Sequence, residues 1–137
     1  MLRKRLERAI TGNKLVLVVV LPTSEMAQKV AAELETKVLC DSGWHVYHQM
    51  EHVLNQRAAT EGHSPWKHPK YLERGGYNAY KKGMLPYTDN LLSRAINISI
   101  GVWDAGLGSG YGVTVKDGST EVDKSSERFR LAYEKYL

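Results

Sequence analysis

The stretch "HVYHQMEH", residues 45–52, sets His48, Glu51 and His52 in the order H-x-x-E-H. On a helix, His48 and His52 lie one turn apart on a single face. Two imidazoles so placed can share a zinc ion, with Glu51 positioned to activate a bound water. Val46, Met50, Val53 and Leu54 take the opposite side, so the histidine face turns away from the core. No third ligand follows from the spacing, since Glu121 or Glu127 is reached only by counting along the chain. A metal-dependent hydrolase through His48, Glu51 and His52 is therefore the minor alternative, and the expectation is no metal. Nucleophilic chemistry has less support still. The chain has no G-x-S-x-G, and its one cysteine, Cys40, reads as a small buried hydrophobe at a strand end.

A second stretch, "GVWDAGLGSGYGVTV" at residues 101–115, places glycine at 106, 108, 110 and 112. A dinucleotide cradle needs G-x-G-x-x-G opening a helix, and here Tyr111 or Val113 falls where the third glycine belongs. No Gly-Lys-Ser/Thr follows, so it is not a P-loop either. The run leads into "VTV", a strand pattern, whereas phosphate cradles of this type use a helix N-terminus. These glycines are expected to turn the chain between strands or to let it approach another surface closely.

Basic residues gather at Arg3, Lys4, Arg5 and Arg8, and again at Lys67, Lys70, Arg74, Lys81 and Lys82. The second group is interleaved with Trp66, Tyr71, Tyr77 and Tyr80, which suits an anionic ring-bearing ligand, because cations match phosphate or carboxylate and aromatics stack on rings. No helix-turn-helix, zinc-finger or RNP-type signature is present, so no nucleic-acid partner is expected.

Elements that position these residues can be read from periodicity. Leu2, Leu6 and Ala9/Ile10 predict an N-terminal helix ended at Gly12-Asn13. The β-branched run Leu15–Leu21 predicts a strand buried on both faces. Thr23 or Ser24 caps a helix with Met26, Val30 and Leu34 on one stripe beside Ala27 and Ala31. A short strand is expected around Lys37–Cys40, then a turn at Asp41-Ser42-Gly43 and a helix within "WHVYHQMEHVLNQR". Thr60–Gly83 is irregular, Thr88 or Asp89 caps a helix through Arg94, and "INISI" alternates as a strand. "GVTV" predicts a further short strand. Ser119 or Thr120 opens a C-terminal helix with Val122, Phe129, Tyr133 and Tyr136 on its stripe and Ser126 filling the gap. The alternation predicts an α/β (α+β) fold: a single domain over residues 1–137, as a small two-layer sandwich with a short sheet and helices packed on one face.

At 137 residues the chain is long enough to bury a core without staples. Its 42% hydrophobic and 25% charged residues, net charge of +4 and longest apolar run of seven residues predict a soluble, cytoplasmic protein with no membrane partner.

The segment "KGMLPYTDNLLSRAINISIGVWDAGLGSGYGVTV", Lys82–Val115, resembles the C-terminal part of the DegT/StrS-type pyridoxal-phosphate-dependent sugar aminotransferases, through Pro86, Asp89 and Leu92-Ser93-Arg94 and the run after them. "KLVLVVVLPTSEMAQKVAAELE", Lys14–Glu35, is similar to the strand and helix that open that family's small domain. "GWHVYHQMEHVL" is similar to its Trp-His-Tyr segment, with Val46 where the family has tyrosine. The resemblance implies a small aminotransferase C-terminal domain in which Trp44, His45 and Tyr47 face sugar substrate. Lys67, Lys70 and Arg74 in the basic aromatic segment would meet an anionic sugar. The family's large domain carries the lysine that binds pyridoxal phosphate, and the chain is expected to correspond to the small domain without it. The expectation is thus a chain with no cofactor of its own and no transaminase activity alone, because that chemistry belongs to the held cofactor. It would form a homodimer or higher homo-oligomer, or meet a large-domain protein partner, with a sugar- or phosphate-ligand binding module as the alternative.

Overall fold

The computed structural model describes residues 4, 16–42, 46–59, 65–76, 80–101 and 110–137. The expected helix at Leu2–Ile10 lies outside these residues, as do Trp44, His45, Gly106 and Gly108. In chain order the elements are β1 (Val16–Val20), α1 (Ser24–Glu33), α2 (Glu51–Leu54), α3 (Pro69–Glu73), α4 (Pro86–Ser93), β2 (Ala95–Ser99) and α5 (Ser119–Glu134). They form a small α+β fold. The chain divides into two compact units, one of residues 1–43 with 87–137 and one of residues 44–86. No helix among the described residues is long and apolar enough to cross a membrane.

In the first unit β1 and β2 pair antiparallel, with Val16 opposite Ser99, Val18 opposite Asn97 and Val20 opposite Ala95. The Leu21 amide donates to the Arg94 carbonyl at 2.8 Å, extending that register by one pair. On its other side β2 meets Val38 through Ile96 and Gly112 through Ser99, two single bridges along the second edge of the two-stranded sheet. Its Ile96 and Ile98 are fully buried and, with Leu17 and Val19, face α1 and α5. The other face of β1 is bare: Val16, Val18 and Val20 are 43–46% exposed. The expectation of a strand buried on both faces is therefore corrected. An unbroken apolar run is compatible with either arrangement, and among the described residues only one face of β1 packs on the core.

Helix α1 forms as its pattern predicts. Thr23 has extended backbone and its side chain accepts the Met26 amide at 3.1 Å, capping the helix, while Met26, Ala27, Val30 and Ala31 are buried. It stops where Glu35 adopts φ +57°. Thr36 then donates to the Ala31 carbonyl and Glu35 to the Ala32 carbonyl, the paired bonds of a Schellman ending. Replacing Thr23 with Ala removes the cap and is expected to lower stability by about 1 kcal/mol in a urea titration with unchanged slope.

Helix α5 begins at Ser119 and buries Val122, Ser125, Phe129 and Ala132, with Tyr133 and Tyr136 half-buried against the same core. Glu33 of α1 receives Lys135 Nζ at 2.7 Å and the Tyr136 hydroxyl at 3.2 Å, tying the two helix ends together. Two expected strands shrink to bridges. Val38 makes one bridge before a 3₁₀ turn at Leu39–Asp41, and "GVTV" makes one at Gly112 before a turn in which Asp117 Oδ2 accepts the Thr114 amide.

Candidate functional site

The helix that would align His48 with His52 does not run through them. Tyr47–Gln49 form a 3₁₀ turn, Met50 takes φ −88° and ψ +89°, and α2 starts only at Glu51. A ψ of that size breaks the hydrogen-bond ladder, so the one-turn spacing on a common face is lost. His48 is half-buried with its ring edge-on to Tyr47 at 5.2 Å between centroids, while Glu51 and His52 are exposed. Among the described residues no group of three or more His, Cys, Asp or Glu side chains is placed to hold a metal ion. His48, Glu51 and His52 are not brought together as a ligand set.

Tyr47 has a structural job. Its hydroxyl accepts the Gly83 amide at 3.1 Å, clamping the turn closed by the Met84 amide on the Lys81 carbonyl. Gly83 sits at φ +85°, which a side chain would strain. The bond spans 36 residues of sequence and leaves Lys81 and Lys82 displayed on the turn.

Lys67, Lys70 and Arg74 are all exposed. Lys67 ends a 3₁₀ turn at Pro65–Lys67, and Pro69 then opens α3 at a position where its missing amide is harmless. His68 Nδ1 accepts the Lys70 amide at 3.2 Å as the cap. Tyr71 of α3 and Tyr80 share a hydroxyl–hydroxyl bond of 3.2 Å. That bond first, and burial second, push the Tyr71 phenol above its usual range. A side chain at Gly76 would collide with the Tyr71 ring and carbonyl, so the chain leaves α3 through a glycine.

A different group in the first unit went unread in the sequence. The Tyr111 hydroxyl donates to the Ser125 carbonyl and accepts from Ser125 Oγ at 3.1 Å. Arg128 lies 5.7 Å from the ring centroid, with its guanidinium on Glu35 Oε2 at 2.9 Å and on the Glu33 carbonyl at 3.2 Å. Burial pushes the Tyr111 phenol up, and the bond with Ser125 partly offsets it. Beside them opens a cavity of about 290 Å³ lined by Leu34, Glu35, Gly110, Glu121, Lys124 and Arg128, among others. Arg128 is neutralised by Glu35, and Lys124 lies 4.0 Å from Glu121, so the cavity offers little net field to an ion. No local spacing links Tyr111 to Ser125 and Arg128, which meet only because α5 packs under the Gly110–Val113 segment.

Comparison of the chain with protein-family models, characterised proteins and solved structures finds no match to any of them.

Proposed function

We propose that this chain is a module of the sugar-aminotransferase small-domain type, without transaminase activity by itself, that acts by associating with a second copy. The observation that carries the reading is the outward face of β1, where Val16, Val18 and Val20 stand 43–46% exposed beside a core that takes only Leu17 and Val19. A three-valine stripe on one strand fits a sheet that packs against another body. The two segments bearing the resemblance, Lys14–Glu35 and Lys82–Val115, also support it, since they meet in the β1–β2 pair. Arg94 adds to that junction by donating to the Leu21 and Pro22 carbonyls at 3.3 and 3.4 Å.

Pyridoxal phosphate does not suit the residues described. A lysine that binds an aldehyde cofactor works in a desolvated setting that favours its neutral amine, and each described lysine is exposed. No reaction step is therefore assigned to the cofactor.

Light scattering at micromolar concentration is expected to give a dimer, and Val18→Lys a folded monomer. A wild-type monomer at high micromolar concentration would overturn the association. With pyridoxal phosphate, an amino donor and a keto-sugar supplied, the chain alone is expected to give no product above buffer. Cofactor-dependent turnover would overturn the non-catalytic reading independently of the oligomeric state.

A further inference from the structure

The positive charge of the chain is concentrated. Residues 65–82 hold Lys67, Lys70, Arg74, Lys81 and Lys82 against one acid, Glu73, a formal +4 equal to that of the whole chain. All five cations are exposed, and none pairs with a carboxylate among the described residues. In the first unit Lys29, Lys124, Arg128, Arg130 and Lys135 each lie within 4.0 Å of a glutamate oxygen, while Lys37, Arg94 and Lys116 do not among the described residues. Charge left unneutralised on one segment raises the local concentration of a counter-charged partner, whereas paired charge does not.

The aromatics lie among these cations. Trp66, Tyr71 and Tyr80 are half-buried, so each keeps part of its surface open. The Tyr71–Tyr80 bond holds the chain leading into Lys81 and Lys82 beside α3, on which Lys70 and the C-cap Arg74 are one turn apart. Small anions are bound in concave sites that surround them. These cations instead stand exposed on a short helix and a turn, which suits a chain of phosphates laid along the surface. A membrane-binding face would present large apolar side chains as well, and none within the described residues of 65–82 is exposed.

We propose that residues 65–76 and 80–82 form a binding surface for single-stranded nucleic acid, with Lys67, Lys70, Arg74, Lys81 and Lys82 on phosphates and Trp66 stacking on a base. Such binding tolerates any sequence, since every base has a stacking face, and it needs none of the motifs of base-specific readers.

The test uses the full chain and a fluorescein-labelled oligothymidylate, read by anisotropy over a range of salt. Binding is expected to weaken with salt at a log–log slope of about −3.5, as for five phosphates neutralised. The pair Lys70→Glu/Arg74→Glu is expected to weaken binding at least about tenfold and to flatten the slope by about 1.4. Trp66→Leu should weaken binding several-fold with the slope unchanged. The control pair Lys37→Glu/Lys116→Glu makes the same change of net charge at exposed positions of the first unit, and should bind much nearer wild type. Circular dichroism establishes that each variant is folded. Equal losses in the two charge-reversal pairs would reduce the effect to net charge and overturn the proposal. Binding to polyglutamate or to anionic vesicles as tight as to the strand would overturn it too, as would no binding to the strand at low salt.

Discussion

Gly112→Ala is expected to leave the chain unfolded or nearly so at 25 °C, with a loss of about 4 kcal/mol or more. Gly112 has φ +140°, a conformation that L side chains rarely adopt. The space is closed as well. A Cβ there would run into the Ser99 carbonyl oxygen and lie 2.5 Å from its nitrogen. Ser99 cannot give way, because it is the last residue of β2, fully buried and opposite Val16 in the strand pair. Its amide donates to the Tyr111 carbonyl at 2.8 Å and its carbonyl accepts from Val113 at 2.9 Å. Relief of the collision would therefore break the bridge that carries Tyr111 and Val113 into the core. Thermal melting followed by circular dichroism checks this, and a cooperative transition near the wild-type midpoint would show that the segment can move away. Gly110 makes an informative partner, because a Cβ there would lie 3.5 Å from the Glu35 carbonyl, an ordinary contact. Gly110→Ala is expected to change stability by under about 1 kcal/mol.

Ile96→Ala should cost about 3 to 4 kcal/mol and lower the melting midpoint by roughly 10 °C. Ile96 is fully buried and sits where three segments meet, opposite Val19 on one side and Val38 on the other. Truncation removes three carbons from a face packed on α1, and β1 on one side with the Val38 bridge on the other keeps the space from collapsing. Val18→Ala, on the bare face of the neighbouring strand, is expected to cost far less. Denaturant titrations of the two variants measure the contrast directly. Equal losses would mean that the valine face is covered within the single chain, and would remove the basis for self-association.

Parts of the fold and site were legible in the residues themselves. Thr23 as the cap of α1, the stripe Met26–Val30–Leu34, the existence of a strand at β2 and the start of α5 at Ser119 each follow from neighbours within one element. Lys67, Lys70 and Arg74 lie exposed, as basic residues in a polar stretch generally do.

Other features depended on segments far apart in the chain. Met50 breaks the expected histidine helix although no glycine or proline marks the place. The Tyr47 hydroxyl holds a turn 36 residues away, a contact that no local spacing announces. Periodicity and capping thus determined that β1, α1, β2 and α5 form, and which side of the two helices is apolar, because side-chain direction repeats with the backbone. The tertiary structure alone decided that one face of β1 stays bare, that Gly112 must press against Ser99, and that Tyr111 meets Ser125 and Arg128. Those outcomes require two segments to arrive at one place, and no spacing within either segment encodes the arrival of the other.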